Sequence, residues 1–520
     1  MRAVFFAALM IALVAKPAVA AKTDGVLAKQ LSAITAHADN RVSFGIAVYD
    51  LDKKQPIYGM NADKLFLAAS TTKLLTEATT LATLGPDFRF TTNVYRSGPI
   101  QNGTVNGDII LRASGDPNLS NRIQSDDTLA FQNEDHSYDG SPDTKAVAGD
   151  PLLVLRDFAK QIAAKGITRI NGRVIVDDSL FAAGQPEGGT GAVVSPIVVN
   201  DNLVDVTVTP GAKSGDPVAI AVSPQTPYTK FVVKATTAAA GTRRTIDMND
   251  TADAKGNQTV TITGTSPQRG KPILYTYRVA SPRRFAEIAL TQALNDAGVQ
   301  VAMPGADQPV TAGEFVNAYT DANMVATHVS PPLREDVKVT LKVSDNLHAA
   351  MMEYLLGVYK AHAPDPLTAG FRIENDMLRS ASLDPSVIVQ NDGLGTDAYL
   401  QPAFMTKFLA YVRTQPYFDT FYSALPVLGV DGTLFNIQNG KPAAGKVHAK
   451  TGTWGTDDRL NSRGIVTAKG LGGYMTTRSG KHVAFSLYLN NMPAAGGADG
   501  AHIAGEILGA LANAIYLYTP

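Results

Sequence analysis

Leu67-Ala68-Ala69-Ser70-Thr71-Thr72-Lys73-Leu74-Leu75 is the stretch around which the rest of the chain can be read. A serine and a lysine three positions apart, at the start of an apolar run, share one face once that run coils into a helix. Ser70 then falls at the helix N-terminus, where unpaired backbone N–H groups and the macrodipole favour developing negative charge. Lys73 falls one turn on, within reach of the Ser70 hydroxyl. A serine hydroxyl attacks only when a neighbouring base takes its proton, and a lysine is a base only when neutral. Bringing a lysine from about 10.4 to about 7 costs roughly 4 to 5 kcal/mol, so the chain has to supply burial and a second cation nearby.

Two further triplets meet that demand, in order. Ser344-Asp345-Asn346 opens a second apolar helical run over 347–359, and Lys450-Thr451-Gly452-Thr453 follows the alternating Lys446-Val447-His448-Ala449. Alone, each triplet reads as a helix cap or a strand end; the three together, each in the local context its chemistry needs, form a set. Lys450 supplies the second cation, which lowers the Lys73 pKa by repulsion and attracts a substrate carboxylate. Ser344 can relay a proton from Lys73 to a leaving amine, and Asn346 can hold Lys73 and a substrate amide. Asp345 faces elsewhere and reads as a cap, and His348 reads as structural. Gly452 lets a substrate backbone approach the strand edge closely and lie antiparallel along it.

At 520 residues the chain exceeds one ordinary core, so two or three domains are expected. A net charge of −1 without a basic run argues against nucleic acid or an anionic membrane surface as partner. Residues 1–20 carry Arg2, an apolar stretch and Ala18-Val19-Ala20, the pattern of an export signal cleaved after Ala20. No later stretch is long and apolar enough to span a membrane. The chain has no cysteine, which fits an exported periplasmic or cell-wall protein with a large core rather than a small disulfide-stapled one. Eight scattered histidines without H-E-x-x-H or cysteine ligands give no metal site, and no cofactor is implied.

The set of Ser70-x-x-Lys73, Ser344-x-Asn346 and Lys450-Thr451-Gly452 resembles the motifs of the penicillin-recognising serine enzymes. About 270 residues lie between Lys73 and Ser344, far more than a helical subdomain holding the second motif requires, so extra domains are inserted there. Within them Gly115-Asp116-Pro117-Asn118-Leu119, Val176-Asp177-Asp178-Ser179-Leu180-Phe181 and Val199-Asn200-Asp201-Asn202-Leu203 are similar to signatures of the class C low-molecular-mass penicillin-binding proteins. This is the D-alanyl-D-alanine carboxypeptidase/endopeptidase family, peptidase family S13. The resemblance implies an α+β fold, with a transpeptidase or serine β-lactamase-like catalytic domain of antiparallel sheet and helices and two inserted, mostly-β domains. The expected division is 21–91 with 280–520 for the catalytic domain, re-entered at the helix capped by Ser281-Pro282, then 92–116 with 196–279, and 117–195. Residues 122–150, polar, acidic and aperiodic, are expected as a mobile surface loop beyond the family pattern.

The resemblance further implies attack by Ser70 on the D-alanyl-D-alanine bond of peptidoglycan stem peptides, through an acyl-Ser70 ester that water hydrolyses. Its oxyanion donors would be the backbone N–H groups of Ser70 and Thr453, with Thr451 and Gly452 in the substrate-binding strand and Asp177 as a further substrate contact. β-Lactams would acylate Ser70 by the same route, and a homodimer is left open. Where the family often has an arginine after Asp-Gly-Ser-Gly, this chain has Ala398, so recognition of a side-chain carboxylate by that route is not expected. The competing readings are a β-lactamase of the same fold, which would need fast deacylation, and a non-catalytic peptidoglycan binder, which would have no need of all five motif side chains.

Overall fold

The alternation of large and small residues at 43–50 decides how the layers stack. In the computed structural model, which describes residues 25–519 apart from 255, 304, 306–309 and 495–498, Ser43–Asp50 is a strand buried on both faces. It lies second in a five-stranded antiparallel sheet ordered Gln55–Met60, Ser43–Asp50, His482–Pro493, Arg463–Thr476, Val447–Asp458. On one face Phe44, Ile46 and Val48 join Leu487 and Leu489 against Leu27 and Leu31 of the helix Gly25–Thr35 and Leu508, Leu511 and Ile515 of the helix Gly500–Leu517. On the other face the strands carry small residues: a Cβ on Gly45 would meet the Phe66 ring at 2.4 Å, and one on Gly472 would meet Leu74 Cδ1 at 3.2 Å. The missing side chains bring a second, helical layer close to the sheet. Its core includes Leu74, Leu75 and Ala78 of Lys73–Leu84, Met351, Met352 and Leu355 of Asn346–Leu356, and Phe404 and Phe408 of Pro402–Val412. At roughly 1.5–3 kcal/mol for each fully buried large apolar side chain, this packing fixes where Ser70 and Ser344 sit.

A second core is built between these two segments, and it corrects the expected domain division. The helix Pro282–Asp296 is capped by Ser281, which accepts from Arg284 N at 3.4 Å, as its sequence predicts. Its apolar face, Phe285 to Leu294, packs in this second core with Val154, Leu155 and Phe158 of Leu153–Ala164, not in the catalytic layers. An amphipathic helix records that it covers a core, not which one. Strand Met324–Val329 also belongs here, pairing with Thr91–Arg96, and the chain rejoins the helical layer at Leu333–Val343. The proposed split of the insertion does not follow the sheets either. Thr91–Arg96, Ile109–Arg112 and Val174–Asp177 are neighbours in one sheet with Met324–Val329. The signal segment 1–20 lies outside the described residues. Among those described, no helix is long and apolar enough to cross a membrane.

Candidate active site

Ser70 is presented by a tight turn, not by the first turn of the α-helix itself. Residues Ala69–Thr72 form a 3-10 turn that leads into Lys73–Leu84, and Ala69 holds φ 46, in the left-handed region that non-glycine residues seldom occupy. The turn is locked from two sides. A Cβ on Gly395 would meet Ala69 O at 2.2 Å, and one on Gly452 would meet Ala68 O at 2.4 Å and Ser70 N at 3.2 Å. Gly452 is therefore glycine because the nucleophile turn rests on its strand, which corrects the expectation that it clears space for substrate. Gly470, its register partner, serves the same contact, with a Cβ there 2.7 Å from Thr71 Cγ2.

The other motif side chains converge on Lys73. Its Nζ donates to Ser70 Oγ at 3.1 Å, to Ser344 O at 2.7 Å and Oγ at 3.2 Å, and to Asn346 Oδ1 at 2.5 Å. Lys450 Nζ donates to the same Ser344 Oγ at 2.8 Å and to Thr451 O at 2.8 Å. Ser344 thus stands between two ammonium groups, with φ 65 at the end of Leu333–Val343, while Asp345 caps the next helix by accepting from His348 N at 3.0 Å. Asn346 Nδ2 donates to Gly188 O at 2.8 Å, so its amide is oriented and offers Oδ1 to the lysine. The edge strand Val447–Asp458 carries Lys450, and Thr451 Oγ1 donates to Thr433 Oγ1 at 2.7 Å.

Both lysines are wholly buried, at 0 % exposure. Burial is the main cause that lowers Lys73 to about 8, against the pull of Asp345, Glu187, Glu77 and Asp392. Burial also holds Lys450 well below its ordinary value, and the charges of Lys73 and Lys469 push it the same way. The repulsion expected between the pair is present, but it falls on Lys450 and is second to desolvation. Lys450 is also absent from the residues lining the cleft, so it is not placed to attract a substrate carboxylate as expected. Glu77, one turn beyond Lys73, is buried without a hydrogen-bond partner, and its carboxyl is raised well above its usual range by burial first and then by Asp336.

Residues 122–150 form a wall of the cleft, a correction to the mobile surface loop expected from their composition. Arg122, 1 % exposed, reaches Asp135 at 2.6 Å, Asp201 at 2.7 Å and the helix-capping Asp345 at 3.7 Å. His136 bridges Asp201 at 2.7 Å and Asp205 at 2.9 Å. His348 is held by Asp336 at 2.8 Å and Asp201 at 3.2 Å; burial opposes its charge, but Asp345 and Asp336 raise its pKa well above the ordinary value. Its role is structural. From this base Tyr138 Oη donates to Val343 O at 2.8 Å, next to Ser344, and Asn133 Oδ1 accepts from Gly432 N at 2.8 Å, next to Thr433. Glu134, Ser137 and Ser141 line the cleft together with Ser70 and Ser344.

With that geometry in place, comparison with known proteins is direct. Residues 27–513 match the D-Ala-D-Ala carboxypeptidase 3 (S13) family. The chain belongs to this family. A D-alanyl-D-alanine carboxypeptidase of Actinomadura sp. (strain R39) is 28 % identical over 432 residues, covering 79 % of this chain and 72 % of the relative. D-alanyl-D-alanine carboxypeptidase DacB of Haemophilus influenzae is 22 % identical over 485 residues, 88 % of each chain. The crystal structure of penicillin binding protein 4 (dacB) from H. influenzae superposes with TM-score 0.72 at 21 % identity, covering 94 % of this chain and 99 % of that one, which shows the shared fold.

Of the residues named from sequence in this S13 family member, Ser70, Lys73, Ser344, Asn346 and Lys450 form one hydrogen-bonded cluster. Thr451 and Thr453 line the cleft beside it. Asp177 does not join them: its carboxylate accepts from Tyr319 Oη and from Ser179 N, on the strand Val174–Asp177 of the second core, so the expected substrate contact is corrected. Ala398 is buried, and its carbonyl accepts from Ala68 N at 2.8 Å, supporting the nucleophile turn through backbone alone. Sequence reasoning missed Thr433, Glu187, Tyr138 and Lys469 as cleft residues. Thr433 follows the turn-forming Asp431-Gly432 pair, the one local signal available; the others had none.

Proposed function

We propose that the chain is a serine DD-carboxypeptidase/endopeptidase that cleaves D-alanyl-D-alanine bonds of peptidoglycan stem peptides through an acyl-Ser70 intermediate. The observation that carries this reading is the unbroken chain Ser70 Oγ, Lys73 Nζ, Ser344 Oγ, Lys450 Nζ, with successive separations of 3.1, 3.2 and 2.8 Å. Two buried amines that share one hydroxyl do not both stay protonated. Because Ser344 can donate to one lysine while accepting from the other, a proton missing at Lys450 can be transferred to leave Lys73 neutral. Neutral Lys73 then takes the Ser70 proton as Oγ attacks the peptide carbonyl. The tetrahedral oxyanion is stabilised by the backbone N–H groups of Ser70 and Thr453, worth several kcal/mol when aimed in advance. Collapse returns the proton through Lys73 and Ser344 to the leaving D-alanine nitrogen, and water, deprotonated by the same lysine, releases the acyl group.

Export of the mature chain to the periplasm, after removal of residues 1–20, places it where that substrate is. β-Lactams, which present a strained amide and a carboxylate, would acylate Ser70 by the same steps. The test is digestion of purified muropeptides with mass identification of products. Loss of one D-alanine from pentapeptide stems, or opening of D-amino acid cross-links, supports the reading; no product from folded protein that also fails to take up a fluorescent penicillin refutes it.

A further inference from the structure

We propose that Lys469 is the specificity residue that binds the C-terminal carboxylate of the scissile peptide, an inference that rests on the proposed peptidase function. The chemistry of that substrate calls for a cation: a D-alanyl-D-alanine end carries a free carboxylate one residue beyond the scissile carbonyl, about 3.8 Å along the chain. Lys73 and Lys450 are fully buried, engaged with Ser344, and do not line the cleft. Arg122 is tied to three aspartates and does not line it either. Among the described residues, Lys469 is the one lysine or arginine that does.

Its position follows from the sheet. Thr453, the proposed oxyanion donor, pairs in register with Lys469 on the neighbouring strand, so the two side chains leave the sheet on the same face. Lys469 Nζ donates to Thr453 Oγ1 at 2.9 Å, which brings the ammonium beside the edge where the substrate backbone would lie. The carboxylates near it are otherwise occupied. Asp499 caps the helix Gly500–Leu517 by accepting from His502 N at 3.0 Å, and Glu506 accepts from Gln438 N at 3.0 Å and Nε2 at 2.6 Å. No described carboxylate oxygen lies within ion-pair distance of Lys469 Nζ; Asp499, which lines the same cleft, acts on it only at longer range, so the cation keeps room for an arriving carboxylate. A carboxylate arriving between Lys469 and the Thr453 hydroxyl, whose proton is free while its oxygen accepts from Lys469, completes a charge-assisted hydrogen-bond set.

The assignment separates substrates by their ends. A stem peptide ending in free D-alanine carries the group that Lys469 binds, as does a cross-link whose leaving amine bears a free α-carboxylate, whereas a substrate whose carboxylate is amidated does not.

The experiment compares two synthetic peptides on the full chain: diacetyl-L-lysyl-D-alanyl-D-alanine and the same peptide ending in D-alaninamide. Release of D-alanine or D-alaninamide is followed by mass, with KM and kcat determined separately for wild type, Lys469→Met and Lys469→Arg. Wild type is expected to prefer the free acid by at least about 30-fold in kcat/KM. Lys469→Met is expected to abolish most of that preference through KM, and Lys469→Arg to restore most of it. Equal losses on both peptides in Lys469→Met would show that Lys469 only supports Thr453 and would overturn the inference, as would an unchanged preference. Wild type that cleaves neither peptide and takes up no penicillin overturns the peptidase reading itself, and this inference with it.

Discussion

The pH dependence of Ser70 acylation is the sharpest consequence of the buried lysine pair. Lys73, the proposed base, is lowered to about 8, so its neutral fraction is roughly one-hundredth at pH 6, one-tenth at pH 7 and one-half at pH 8. The base acts when deprotonated, so the rate rises with pH below that value and levels off above it. Acylation by a penicillin is expected to accelerate about tenfold between pH 6 and 7, about fivefold between 7 and 8, and less than twofold between 8 and 9.5. The same lysine left at its ordinary value of 10.5 would keep climbing about tenfold per unit through pH 9. The assay is the second-order rate constant of labelling by a fluorescent penicillin, taken at constant ionic strength from pH 5.5 to 9.5 and corrected for hydrolysis of the free drug. A profile flat between pH 6 and 8, or one still rising tenfold per unit at pH 9, would refute the reasoning that burial tunes Lys73.

Three other perturbations test the frame around it. Arg122→Met leaves Asp135, Asp201 and Asp345 buried with their guanidinium removed, and is expected to cost about 3–5 kcal/mol by denaturant unfolding; a loss below about 1 kcal/mol contradicts the wall's anchoring role. Gly452→Ala places a methyl 2.4 Å from Ala68 O and 3.2 Å from Ser70 N, where backbone must give way. It is expected to cost about 1–3 kcal/mol of stability and to slow penicillin acylation by at least about a hundredfold, measured on protein whose circular dichroism is native. Glu77→Gln removes a carboxyl that burial holds well above its usual range. A group raised in the folded state lowers stability as pH climbs above its unfolded value, so the variant should match wild type near pH 4 and exceed it at pH 8 in thermal unfolding.

The five clustered side chains were legible because each motif needs a particular local element as well as particular residues. Ser70 and Lys73 need a helix start, Ser344 and Asn346 a cap, and Lys450 a strand end, and the flanking apolar patterns supply all three. The fold was implied by the family resemblance that those motifs carry, and the spacing added only that domains are inserted between the first two. What was not legible came from long-range polar contacts. Arg122, Asp135 and His136 sit in an aperiodic, acidic stretch that reads as solvated until Asp201 and Asp345 are known to lie across from them. The helix Pro282–Asp296 was visible as a helix, but its apolar stripe is compatible with either core. Lys469, between Ala468 and Gly470, gave no sign that register would bring it to Thr453. Gly452 was recognised as a close-approach residue, yet the approaching backbone turned out to be the protein's own.

The central claim, that Ser70 is a nucleophile activated by Lys73, is tested most directly by intact-mass spectrometry after brief exposure to benzylpenicillin, followed by peptide mapping. The account predicts a single penicilloyl adduct on the peptide containing Ser70, absent from Ser70→Ala and slowed by at least a thousandfold in Lys73→Met. An unmodified wild-type chain, or an adduct that persists unchanged in Ser70→Ala, would contradict it.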